Sequence, residues 1–306
     1  MFYVRFWGVR GSIARPGKNT IKFGGNTTCL EIRANKKIVI IDMGTGIYEL
    51  GKYLTKNNSK NTTEKIDIFI THTHLDHING FQMFMPFFID TSKIKIYGPH
   101  LPNKENLQTL LAEQMSYNCW PVELNELPAN ISFKQIGETT LDLGDGLIVK
   151  TKYLNHPAIC LGYRFEYKGK SIVTAFDNEP FWNIFDSDNN ETKDFFTEDA
   201  VMTGNTIIAE ENNKLLDFYK NANIIIYDSQ YTDKEYNSGK KHWGHSTYSN
   251  SIETGILANA KKIVFFHHDP SRTDNYLNSL EKKYKNLHLE SRTQIIMSKE
   301  GMILEA

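Results

Sequence analysis

Apolar residues come in short, closely spaced runs along the first third of the chain: FYVRFW at 2–7, CLEI at 29–32, KIVIID at 37–42 and IDIFI at 66–70. Their β-branched and aromatic content and their brevity predict strands. Between them, Ile47 to Leu54 has helical spacing, as does LQTLLAEQM at 107–115. Strand-like runs return at 93–97, 147–154, 161–167 and 171–176. The last third alternates helix and strand: helix over 213–220, strand over 223–228, helix over 247–260, strand over 262–266, helix over 275–284. Two β-rich groups with helices between and after them predict an α/β fold of stacked sheets, a four-layer αββα sandwich. No fixed-period repeat and no Pro-rich or Ser-rich linker divides the chain. One domain over 1–306 is expected.

Composition narrows the class. Hydrophobic residues make up 40% and charged residues 23% of 306, the balance of a globular chain. Three cysteines, Cys29, Cys119 and Cys160, are too few and too dispersed for a disulfide framework, which points to a reducing, cytoplasmic location. Arg5 and Arg10 interrupt the only apolar stretch near the start, and no run of about 18 apolar residues follows, so neither a signal peptide nor a membrane span is expected. The net charge of −1 gives no overall field to gather polyanions. Charge is nevertheless uneven. Residues 1–40 carry eight basic side chains against one acidic, and residues 177–199 carry eight acidic against one basic. A surface insertion is expected around 181–211. Its aromatics, Phe181, Trp182, Phe185, Phe195 and Phe196, could pack on the core, cover a site or meet a second subunit in a homodimer.

The chemistry is concentrated in IDIFITHTHLDHING at 66–80, where a strand-like run ends in His72, His74, Asp76 and His77. Alternate side chains of an extended chain point the same way, so His72 and His74 can grip one ion, while a turn presents Asp76 and His77 to a second. Neutral imidazole and carboxylate suit Zn²⁺, Mn²⁺ and Fe²⁺. Asp42, at the end of a strand, is read as a hydrogen-bond acceptor behind this loop, not a ligand.

The run His72, Thr73, His74, Leu75, Asp76, His77 resembles the H-x-H-x-D-H signature of the metallo-β-lactamase superfamily. That resemblance implies the αββα fold and two divalent metal ions, zinc or manganese. It also implies a ligand set in chain order: His72, His74 and His156 on one ion, Asp76, His77 and His267 on the other, and Asp177 bridging. His268 competes with His267 for the last place.

Within the superfamily, glyoxalases, lactonases and β-lactamases usually carry G-H-T or G-H-S at the third motif, where this chain reads LNHPAICLGYRFEYKGK at 154–170. The bridging place holds Asp, not Cys, and the loop begins His-x-His, not His-x-Glu. What remains is the phosphodiesterase branch. GHST at 244–247 resembles the ribonuclease Z motif whose histidine is a proton donor, making His245 the catalytic acid. Ser246 or Thr247 could equally cap the following helix. With 7–32, 42–46, 227–236 and 267–274 included, the chain looks most like bacterial ribonuclease Z-like proteins related to cyclic-nucleotide phosphodiesterases, including the phage anti-Pycsar enzymes. Ribonuclease Z inserts its tRNA-gripping arm between the third-motif histidine and the bridging Asp, whereas here only 20 residues separate His156 from Asp177. The resemblance therefore implies a binuclear metal-dependent phosphodiesterase acting on a small diester such as a cyclic nucleotide. Asp76 would orient the nucleophile, and Arg10, in the basic GVRGS turn, is a candidate partner for a phosphate oxygen. The rivals are a ribonuclease Z-like RNA endonuclease and a metal-binding sensor without catalysis.

Overall fold

The computed structural model describes residues 1–56, 65–102, 105–185, 196–288 and 290–306. Its strands form two seven-stranded mixed sheets. The first contains β1 (Phe2–Gly8), β2 (Cys29–Ala34), β3 (Lys37–Ile41), β4 (Lys65–Phe69), β5 (Lys93–Pro99), β6 (Asn130–Ile136) and β14 (Ile303–Glu305), in the order β14-β1-β2-β3-β4-β5-β6. The second contains β7 (Thr140–Asp142), β8 (Leu147–Leu154), β9 (Cys160–Tyr167), β10 (Lys170–Ala175), β11 (Ile224–Asp228), β12 (Lys262–Phe266) and β13 (Gln294–Met297), in the order β13-β12-β11-β10-β9-β8-β7. Each sheet is half antiparallel and half parallel: β3 to β6 run parallel in one, β10 to β13 in the other.

The alternation of side chains explains the layering. Along β12, Val264 and Phe266 enter the core between the sheets, while Ile263 and Phe265 face outward and are covered by helices. Along β4, Phe69 joins the inter-sheet core and Ile66 and Ile68 the outer one. Strands buried on both faces are near-continuous in apolar residues, as parallel strands between layers must be. The helices are α1 (Ile47–Lys56), α2 (Leu75–Ile78), α3 (Leu107–Glu113), α4 (Glu198–Tyr219), α5 (Asp233–Glu235), α6 (Tyr248–Leu257) and α7 (Asp274–Leu287). Leu50 and Leu54 of α1 and Leu107 and Leu111 of α3 cover the first sheet. Leu215 of α4, Ile252 of α6 and Leu277 of α7 cover the second. The αββα sandwich expected from the sequence is thus the fold.

The region expected as an insertion divides. Residues 186–195, with Phe195, lie outside the described residues. From Glu198 the chain is helical and runs on through the predicted 213–220 segment, so α4 is about three times the expected length. Thr197 starts it by accepting a hydrogen bond from Ala200 N–H at 3.2 Å. Its first three turns are largely exposed, with Met202 and Ile207 facing solvent, so they carry no apolar stripe of the kind that marks its last two. Phe181 packs on the outer core of the second sheet, Phe185 and Phe196 pair edge to face at 5.0 Å, and Trp182 lies against His242. No described helix is long and apolar enough to cross a membrane.

Candidate metal centre

The carboxyl ends of the parallel strands of both sheets meet at one edge of the sandwich, where loop side chains converge outside the strand ends. Two ties hold the edges in register. Tyr163 Oη, on β9, donates to the carbonyl of Ile70 at 2.6 Å, and Leu161 N–H donates to the carbonyl of Thr71 at 2.9 Å. On the other side, His268 N–H donates to Val9 O and Gly11 N–H to His268 O. Three residues at strand ends, Asp42 after β3, Asp177 after β10 and His267 after β12, sit at φ +60°, +60° and +62°. Left-handed backbone is unfavourable for residues with a Cβ, and such strain clusters where side chains must be aimed.

The structure brings together His72, His74, Asp76, His77, His156, Asp177 and His267. His72, His74, His156 and Asp177 form one group and Asp76, His77 and His267 another, each with its potential ligand atoms within 4.8 Å of one another. Asp177 lies between them: Oδ2 is 3.6 Å from His72 Nε2, and Oδ1 is 3.1 Å from His77 Nε2 and 3.2 Å from His267 Nε2. Asp76 Oδ2 is 3.1 Å from His267 Nε2 and accepts Ser12 N–H at 2.7 Å. Gly11 leaves room for this approach, since a Cβ there would meet the His267 ring at 2.3 Å. His268 points away. Its Nε2 is 3.0 Å from the carbonyl of Ser298 and its ring meets Phe23 edge-on, so the geometry separates the two candidates in favour of His267.

Four of the five imidazoles have one nitrogen occupied on the outer side; the exception is His74, whose Nδ1 faces His156 Nε2 at 3.1 Å. His156 Nδ1 donates to Gly244 O at 3.0 Å, and His77 Nδ1 donates to Asp42 Oδ2 at 2.7 Å. Asp42 is itself fixed by Thr71 N–H at 2.7 Å and the Thr71 hydroxyl at 2.8 Å, leaving that hydroxyl oxygen 3.1 Å from His72 Nδ1. His267 Nδ1 is 3.3 Å from Gln230 Oε1. With the outer nitrogens protonated, the inner ones present lone pairs to the centre. Asp42 therefore takes the supporting place expected of it.

The electrostatics follow from burial and crowding. Burial, with His77 next, pushes His72 well below the ordinary imidazole range, and burial takes His156 down to about 4. Burial alone would raise Asp177, but His267, His77 and His72 outweigh it and hold the carboxyl well below its usual range. Burial also opposes charge on His77, yet Asp177, Asp76 and Asp42 together raise it well above normal. His72 Nε2, His77 Nε2 and Asp177 Oδ1 are buried without a hydrogen-bond partner. Each such orphan costs about 1–3 kcal/mol if left unmet. Imidazole nitrogens and carboxylate oxygens turned on one another are the donor set a divalent cation satisfies; a bound cation would displace the proton that Asp177, Asp76 and Asp42 otherwise favour on His77, and three histidines with one carboxylate match a zinc-type site.

His245 stands beside the centre, its ring stacked on His267 at 5.1 Å. Its Nδ1 donates to Asp228 Oδ2 at 2.7 Å. Burial opposes its charge, but the Asp228 carboxylate prevails and holds the ring at about 9. Asp228, Asp177, His245 and His267 also lie close enough to form a third donor group. The occupied Nδ1 leaves Nε2 as the nitrogen from which the retained proton could depart. Thr247 caps α6 through Asn250 N–H at 3.1 Å, while the Ser246 hydroxyl donates to Asn178 O.

Arg10 is elsewhere. Its side chain is completely buried, with Nε donating to Gly24 O at 2.8 Å and Nη1 to Arg272 O at 2.7 Å. It staples the 24 and 272 loops and cannot pair with a phosphate as expected of a turn arginine. Sequence reasoning assigned no role to Asp228, Gln230 or Glu179. The first two follow directly on the apolar run of β11, a signal of the same kind that marks Asp177 and His267. Glu179 carries no such signal; its partners lie more than fifty residues away.

The Beta-lactamase superfamily domain matches residues 37–181. The chain is 22% identical over 313 residues to ribonuclease Z of Picrophilus torridus, covering 95% of this chain and 92% of that protein. It is 25% identical over 319 residues to ribonuclease Z of Clostridium novyi, covering 94% and 96%. Among solved structures it is similar to the metallo-β-lactamase fold protein YhfI from Bacillus subtilis, with a TM-score of 0.64, 14% identity and coverage of 100% and 99%. It is also similar to a diphosphatase from the PhnP family, with a TM-score of 0.63, 16% identity and coverage of 100% and 98%. At such identities the structural likeness speaks for the fold.

Proposed function

This chain belongs to the metallo-β-lactamase superfamily of metal-dependent hydrolases, on its ribonuclease Z-like branch, and from that premise we propose that it is a binuclear phosphodiesterase acting on a small diester of the cyclic-nucleotide class. His72, His74 and His156 would hold one ion, Asp76, His77 and His267 the other, and Asp177 would bridge them. Two divalent ions held there supply charge neutralisation at the phosphoryl oxygens and a lowered pKa for water. The remaining work belongs to the chain. Asp76, positioned by Ser12 N–H, accepts a hydrogen bond from the attacking water and orients it. His245 donates its Nε2 proton to the departing oxygen, and Asp228 keeps Nδ1 protonated throughout, so tautomer and ring orientation are set before substrate arrives.

The observation that carries the small-substrate reading is the connection between His156 and Asp177. It is spent on β9 and β10, joined by a tight turn at Lys168 and Gly169, with no arm between them. The basic N-terminal segment is only partly free to act as one: Arg15, Lys18, Lys22 and Lys36 are exposed, while three others are engaged. Arg10 is buried, Arg33 pairs with Glu31 at 2.5 Å, and Lys37 lies 3.7 Å from Asp145. A nuclease gripping a long backbone needs several phosphate-neutralising cations. The ribonuclease reading is favoured instead by the near full-length match to two proteins named ribonuclease Z.

Comparing kcat/KM for cyclic mononucleotides and for precursor tRNA, at low and at physiological salt, decides between them. The small diester should be favoured at least tenfold, about 1.4 kcal/mol in transition-state binding. If tRNA is the better substrate even at physiological salt, the ribonuclease reading takes its place.

A further inference from the structure

One exposed side chain beside the acid is held by more structure than an ordinary surface residue needs. Trp243 is 53% exposed, yet the residues on both sides of it are fixed. The Glu179 carboxylate, 1% exposed, accepts His242 N–H at 2.8 Å and Gly244 N–H at 2.9 Å, and the Tyr236 hydroxyl also donates to it. His242 is at φ +69° and Gly244 at φ +80°. The first is strained for a residue with a Cβ. The second must be glycine, because a Cβ would meet His156 Nδ1 at 2.4 Å. His242 is further clamped by the Trp182 ring, with centroids 3.5 Å apart.

This scaffolding places an indole one residue from the carbonyl that orients His156 and two residues from His245. Lys240 covers one face of the indole, so a planar ligand would stack on the other. Its Nζ lies 3.7 Å from the centroid of the Trp243 ring and 5.8 Å from that of Tyr231, which in turn meets His245 edge-on at 5.9 Å. A large aromatic face on a rigid backbone at the rim of a phosphoryl site suits a planar ligand, because base stacking on an aromatic side chain requires only the face and its prior immobilisation. We propose that Trp243 is the stacking platform for a nucleobase, so that the site takes nucleoside phosphodiesters in preference to diesters without a base.

This inference rests on the phosphodiesterase reading, and its test separates the two. Turnover of bis-p-nitrophenyl phosphate by the metal-reconstituted wild-type protein reports on the reading alone. Trp243 is tested by calorimetric binding of the four ribonucleoside 5′-monophosphates and of ribose 5-phosphate to the same protein. The tightest nucleotide should bind at least tenfold better than ribose 5-phosphate, about 1.4 kcal/mol. In Trp243→Ala and Trp243→Leu that preference should fall to near one, while Trp243→Phe keeps most of it. A tenfold preference surviving in the Ala or Leu variant, or its absence from the wild type, overturns the inference. So does an unchanged preference accompanied by a change in sedimentation coefficient, which would make Trp243 a contact between copies of the chain.

Discussion

His245, partly buried between β11 and α6, and His268, fully buried after β12, are given opposite chemistry by their neighbours. His245 faces Asp228 and is raised to about 9; His268 faces a carbonyl, and burial takes it down to about 3. The first can give up a proton and the second has none to give near neutral pH. Replacing His245 by Ala should lower kcat about 10² to 10⁴-fold, the usual contribution of a positioned acid, with metal content unchanged. The loss should shrink for a p-nitrophenolate leaving group, which departs without protonation. Metal analysis of the variant, with kcat on good and poor leaving groups, checks both parts. Loss of metal would make His245 a ligand, in keeping with the third donor group, and equal losses on both substrates would remove the acid role.

Among elements, the connection from β11 to α6 does most to shape the site. It carries Asp228, Gln230 and His245, and it is braced by Arg272, whose guanidinium reaches Glu235 at 2.5 and 2.8 Å and Gln230 O at 3.3 Å. Arg10 in turn donates to Arg272 O, so a buried arginine braces the residue that supports the loop orienting His267. Burial would raise the Glu235 carboxyl, but hydrogen bonds from Arg272 and Thr232 outweigh it and lower it from 4.5 to about 2. A depressed carboxylate contributes stability above its unfolded pKa and loses it as pH falls through the folded one. The stability difference between wild type and Glu235→Gln should therefore be constant above about pH 5 and close toward about pH 2. Urea midpoints at pH 7, 4 and 3 measure it. A gap that widens with acid would mean that Glu235 is not held ionised by Arg272.

At the scale of the whole molecule, the two sheets meet where their loops hold buried nitrogen and oxygen atoms without partners. The folded chain should consequently bind two divalent ions, and each ion bound only by the native state stabilises it, by about 2.7 kcal/mol at a hundredfold excess over Kd. Reconstitution with Zn²⁺ or Mn²⁺ should give two ions per chain and raise Tm by several degrees over chelated protein, and His74→Ala should lose metal and activity together. A stoichiometry that stays below one after reconstitution would contradict the two-ion centre.

What was legible in the sequence is what local patterning encodes. Strand runs such as KIVFF and SIVTAF announce themselves because both of their faces are buried, and the two-layer arrangement of sheets follows from their order. The H-x-H-x-D-H loop is legible because four of the gathered side chains lie within six residues. Edge strands β6, β7, β13 and β14 escaped notice, being short or only half covered, as did the exposed first turns of α4. Tertiary structure alone decided the rest. His267 and His268 are adjacent and chemically identical, and only the left-handed backbone at His267, with Gly11 making room for its ring, turns one inward and the other toward Ser298. Arg10 reads as a turn arginine until the 24 and 272 loops close over it. Glu179 becomes meaningful only when a loop sixty residues onward folds back against its carboxylate, because contacts between distant segments leave no periodic trace in the chain.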